Sequence, residues 1–154
     1  MLPRVLGLGA VVLIAGWTTR PTPSRSDKYV AEMNGAQETP ANNGKSTGRA
    51  ELTLDGTKLR YEVEVKDLSG PPTAAHIHVG PSGVAGPPVY TFQLKSRDAS
   101  GEVAEGTIDL TKDASSGVSG DSLRTLLNNG NAYINVHTKN FPNGEVRGQV
   151  IKKS

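Results

Sequence analysis

Cysteine is absent from this chain of 154 residues. Its absence excludes disulfides, thiolate metal sites and a cysteine nucleophile, so a transition-metal site has to draw on histidine, carboxylate or backbone oxygen. A strong charge of either sign is missing too. The formal net charge is +2, and Arg4, Arg20 and Arg25 all precede Asp27, which leaves 14 basic side chains against 15 acidic ones beyond residue 26. No run of like charge forms a nucleic-acid or membrane patch, and nucleic acid is excluded as a partner. Aromatic residues are scarce, at 5%, whereas there are 18 glycines and 10 prolines. That balance favours many short strands joined by tight turns.

Long apolar runs are also lacking, with one short exception. Val5 to Gly16 is apolar and follows a single Arg in MLPRVLGLGAVVLIAGWTT. It has the length of the apolar part of a secretory signal and is too short for a membrane span. LIAGW resembles the bacterial lipoprotein signal LIAGC, but Trp17 stands at the cysteine position, so the lipid anchor cannot form. Residues 1–19 therefore read as an export signal or a short uncleaved apolar anchor, and no other membrane-spanning segment is expected. Residues 20–27, rich in Pro and Ser, read as a flexible tether. The folded domain is expected over 28–154, in a protein exported to the periplasm, the cell envelope or the medium.

What the domain does contain is alternation. Ala50, Leu52 and Leu54, then Leu59, Tyr61, Val63 and Val65, alternate with polar residues on either side of Asp55-Gly56, a pair suited to a two-residue turn. Further strands are expected at Lys28–Met33, Ala74–Val79, Val89–Leu94, Val103–Leu110, Ala132–Thr138 and Glu145–Ile151. GPSGVAGPP, between two of them, reads as a structured loop. Leu123, Leu126 and Leu127 share a helical face, with Asp121 as N-cap and Gly130 after the C-terminus. The expectation is all-β: an antiparallel immunoglobulin-like or Greek-key sandwich or barrel of about eight strands, with one short helix near 121–129.

The chain has three histidines, His76 and His78 in AAHIHVG and His137 in NAYINVHT. Side chains on a strand alternate between faces, so His76 and His78 lie opposite Ala75, Ile77 and Val79. By the same rule Tyr133, Asn135 and His137 lie opposite Ala132, Ile134 and Val136. If the aliphatic faces form the core, all three histidines look outward. The Cβ atoms of His76 and His78 are then roughly 6.5–7 Å apart, close enough for both rings to lean onto one ion. A nitrogen-only ligand set favours copper, with zinc next in order. The alternative is that the histidines bond to loop carbonyls or to Glu145 and merely hold the surface together. Spacing alone leaves the two readings level.

Other polar candidates surround this set. Asn135 shares the His137 face and could orient an imidazole. Glu145, Arg147 and Gln149 alternate with Val146, Gly148 and Val150, so they too are expected on one face. Arg147 is expected to pair with Glu145 or Glu38, an ion pair pinning the last strand. Asn143-Gly144 reads as turn chemistry. Ser82 and Ser122 have no histidine–carboxylate partners in view, which argues against a hydrolase triad.

Glu38-Thr39-Pro40, AAHIHVGPSGVAGPPVY and NAYINVHTKNFPNGEVRGQV resemble the signature blocks of the CHRD domain, in order and spacing, from about Tyr29 to Ile151. The resemblance implies an immunoglobulin-like β-sandwich. The module is repeated in the animal signalling antagonist chordin, which implies extracellular protein binding as a second kind of role. HIH, a later histidine and an arginine-bearing final strand are also similar to the copper site of Cu/Zn superoxide dismutases. That similarity implies His76, His78 and His137 as ligands and Arg147 as an anion attractor. A fourth, bridging histidine and the structural cysteines are missing, which puts a zinc site and dismutation in doubt. Three readings follow: copper binding or buffering through three surface histidines, a non-catalytic interaction module, and a copper oxidoreductase.

Overall fold

In the computed structural model, residues 26–112 and 117–154 are described. The expected export segment at 1–19 and most of the tether at 20–27 lie outside the described residues. Nine strands, one 3-10 turn and one helix follow in order: β1 (Asp27–Asn34), the 3-10 turn (Gly35–Gln37), β2 (Thr47–Asp55), β3 (Lys58–Lys66), β4 (Pro72–Val79), β5 (Pro88–Thr91), β6 (Gly101–Asp109), α1 (Gly120–Asn128), β7 (Ala132–Thr138), β8 (Val146–Gln149) and β9 (Ile151–Lys152). All pairings are antiparallel, in the spatial order β5-β4-β7-β8-β1-β2-β3-β6, with β9 continuing alongside β1.

The sheet curls because each strand has one aliphatic face to hide. Ala75 and Ile77 of β4, Ile134 and Val136 of β7, Leu59 and Val63 of β3 and Val103 of β6 are all fully buried in one core. Tyr61 of β3 packs on Phe92, just past β5, with ring centroids 4.6 Å apart. Beyond β5 the chain reaches β6 through a single Leu94–Ala104 bridge and a bond from Lys95 N to Val103 O. The two edges of the sheet thus approach each other and form a curled half-barrel. The strand expected at Val89–Leu94 is shorter for this reason: its last residues turn away from β4 to meet β6.

Two local expectations shift. Leu54 pairs with Leu59 and Asp55 with Lys58, so the turn residues are Gly56 and Thr57, one further on than Asp55-Gly56. Gly56 takes φ +58°, the conformation that a leading glycine supplies most easily. The helix N-cap is Ser119, whose hydroxyl accepts from Ser122 N, while Asp121 lies in the first turn. Gly130, with φ +67°, follows the helix as expected. Leu123 and Leu127 are completely buried, so α1 closes one end of the barrel. Among the described residues no helix is long and apolar enough to cross a membrane.

Candidate metal centre

The histidine face is the outer face of β4 and β7, as alternation requires. His76 sits opposite Asn135, His78 opposite Tyr133, and His137 opposite Ala74. Outer does not mean bare. His78 is only 9% exposed, Tyr133 3%, Asn135 2% and Arg147 2%. His76 and His137 are half-buried. The cover comes from loop 80–87, the segment after the 3-10 turn, and the 139–144 turn. The barrel therefore has a second, polar layer outside its aliphatic one.

Arg147 of β8 holds the first cover in place. One guanidinium nitrogen donates to Pro81 O at 3.1 Å and Val84 O at 2.9 Å, and the other donates to Thr39 Oγ1 at 3.1 Å. The same group lies 3.5 Å from the centre of the Tyr133 ring, on which His78 stacks at 4.8 Å. Gly86 completes the loop's contact: its carbonyl accepts from Tyr133 Oη, and its N–H donates to the same hydroxyl. A Cβ at Gly86 would fall 1.7 Å from Val79 O, so only glycine lets the loop lie this close.

The three imidazoles converge. Their candidate ligand atoms all lie within 4.8 Å of one another. His76 Nδ1 is 2.9 Å from His137 Nε2. His78 Nδ1 donates to Gly86 O at 2.8 Å, and His137 Nδ1 donates to Pro142 O at 2.9 Å. A carbonyl can only accept, so both rings carry their proton on Nδ1 and turn a bare Nε2 toward the cluster. His78 Nε2 is buried with no hydrogen-bond partner among the described residues. Such an orphan costs about 1–3 kcal/mol unless something occupies it.

Electrostatics keeps the lone pairs free of protons. Burial pushes the His76 pKa down to about 4, helped by its His137 and His78 neighbours. Burial also lowers His78, against the pull of Gly86 O, and lowers His137, against that of Pro142 O. Three neutral nitrogens in a small space are a ligand set that does not compete with protons at neutral pH. The common reach of a shared ion is two bonds of about 2 Å each, so the widest pair has only to close by a fraction of an ångström.

The remaining candidates separate. Asn135 Oδ1 lies 3.0 Å from His137 Nε2, inside the cluster. Glu38 is buried behind Asn135, and burial raises its pKa to about 7 although Arg147, the Thr39 N–H and Asn135 all draw it down. Among the described residues Arg147 makes no short ion pair; its hydrogens go to loop oxygens, and Glu38 acts on it only at longer range. Glu145 does not share the Arg147 face. Its carboxylate accepts from Ser46 Oγ, Ser69 N, Ser69 Oγ and Thr138 Oγ1 on the inner side. β8 starts only at Val146, so Glu145 lies outside the alternation that places Arg147. Tyr133 and Gly86 were not singled out as site residues by sequence reasoning; Tyr133 was visible in the same alternation that placed His137.

An antiparallel half-barrel with an external, roofed three-histidine cluster defines the class: a small β-domain with a candidate metal site. The chain belongs to the CHRD domain family, whose match runs over residues 29–150. No curated protein and no solved structure gives a significant match.

Proposed function

We propose that this chain is an exported CHRD-domain protein that binds or buffers copper through His76, His78 and His137. The observation that carries the reading is the convergence of three neutral imidazoles, one of them presenting a buried nitrogen with no partner among the described residues. Copper is favoured over zinc because the donors are imidazoles without thiolate, for which the Irving–Williams order puts copper first. Export is favoured by the apolar opening of the sequence, and outside the cytoplasm the intrinsic affinity order is felt most directly. The ion would contribute Lewis acidity or redox capacity when bound. The chain's own residues fix the rings, keep them neutral and exclude bulk water from His78.

The test is calorimetric titration of the full chain with copper(II), repeated on the His76→Ala/His78→Ala double variant. One-to-one binding by the wild type and its loss in the variant is the expected result. Equal binding by both, or none by either, would sink the reading. The competing interaction module is supported by one fact, that each ring has a nitrogen hydrogen-bonded within the protein. It makes a different forecast: the double variant melts lower in chelator-treated buffer, and the wild type gains no stability from copper.

A further inference from the structure

His137 has more acceptors around it than a neutral ring can serve. Pro142 O lies 2.9 Å from Nδ1 and Asn135 Oδ1 lies 3.0 Å from Nε2. A neutral imidazole has one N–H, and Pro142 O takes it. One carbonyl oxygen therefore faces a lone pair. His78 Nε2, in the same cluster, is buried with no hydrogen-bond partner among the described residues. His76 Nδ1–H donates to His137 Nε2, and a shift of that one proton to His76 Nε2 leaves only acceptors turned toward one another, which is what a cation site presents.

The orientation of the Asn135 amide is itself constrained. Its Nδ2 and the Glu38 carboxylate both border Gly144, where a Cβ would fall 2.3 Å from Glu38 Oε1 and 2.9 Å from Asn135 Nδ2, and Glu38 Oε1 is buried with no hydrogen-bond partner among the described residues. Nitrogen toward the carboxylate leaves oxygen toward the histidines. A glycine at 144 is what allows this approach, since any side chain there would separate the two.

We propose that Asn135 Oδ1 is the fourth donor of the metal centre, and that Glu38 is the positioning residue that fixes which end of the amide faces the ion. The inference rests on the metal-binding reading above and adds to it a neutral oxygen in a three-nitrogen, one-oxygen set.

The experiment is electron paramagnetic resonance and affinity measurement on the copper(II)-loaded full chain, comparing wild type with Asn135→Ala, Glu38→Ala and Glu38→Gln. Asn135→Ala is expected to change the copper hyperfine pattern and weaken binding about tenfold or more. Glu38→Ala should move both in the same direction. Glu38→Gln keeps an acceptor for the amide and should restore the wild-type spectrum, a rescue that a merely structural role does not require. Because Asn135 is buried, carbon NMR of the wild type supplies a readout without substitution: the Asn135 side-chain carbonyl resonance should move on saturation with diamagnetic zinc. A wild type that binds copper while the Asn135→Ala spectrum superimposes on it, and a carbonyl resonance that stays in place, would overturn this inference and leave the three-histidine site standing. A wild type that binds no copper would remove both.

Discussion

At the scale of single residues, the polar layer holds two titrating groups, one buried and one half-buried, that act against each other. Glu38 has its pKa raised to about 7 by burial, so its neutral form suits the fold. Its stabilisation is fully present below the ordinary carboxyl value and is lost as pH rises through about 7. His76 has the reverse sign. With its pKa depressed to about 4, its contribution is present above the usual histidine value and is lost as pH falls toward 4. Glu38→Gln removes only the first slope. Thermal melts of the metal-free proteins are expected to show the variant more stable at pH 8, by up to ~3 kcal/mol, and similar to wild type near pH 4.5. Identical melting at pH 8 would show that the Glu38 carboxylate is not strained. The histidines themselves were legible from alternation, because a strand's period depends only on the backbone. The burial of Glu38 was not, since it depends on a loop folding back over the sheet from a distant part of the chain.

At the scale of elements, loop 80–87 and strand β8 work as a pair. Arg147 supplies bonds to Pro81 O and Val84 O that the loop cannot make for itself. Arg147→Met keeps the length and removes the donors, leaving two part-buried loop carbonyls without their partner at a cost of about 1–2 kcal/mol. Hydrogen exchange is expected to speed up at Val84 and Gly86. It should stay slow at Gly80, whose N–H bonds to Asn131 O in the turn before β7. Unchanged exchange at Val84 would mean that the loop stands without the arginine. Sequence reasoning reached the loop and the arginine separately and gave Arg147 a carboxylate partner. A basic side chain is read most easily through opposite charge, whereas backbone carbonyls as partners leave no mark on composition. Glu145 was misplaced for a different reason: it was counted as the first residue of the last strand, whereas β8 starts only at Val146.

At the scale of the whole molecule, closure depends on a buried carboxylate as well as on aliphatic packing. Glu145, 1% exposed, ties together Ser46 before β2, Ser69 after β3 and Thr138 at the end of β7. Burial alone would raise its pKa, but the hydroxyl and backbone donors outweigh burial and hold it below the usual value. Its contribution is present above the ordinary carboxyl range and is lost as pH falls through the depressed value. Glu145→Gln is expected to lower unfolding free energy by about 2–3 kcal/mol at pH 7 in urea titrations, because an amide nitrogen cannot accept from the donors around it. The antiparallel all-β class was plain in the pattern of short alternating segments. The strand order and the seam between the β5 end and β6 rest on contacts distant in sequence, which periodicity does not carry.

One rung of the sheet runs from Asn34 through Arg147 and Asn135 to His76. Asp27, where the described chain enters β1, is seven residues earlier, and its carboxylate pairs with Lys152 near the other terminus. Seven residues of strand span about 23 Å. Asp27 and Lys152, where the described chain enters β1 and leaves β9, therefore lie toward the opposite end of the strands from the histidines.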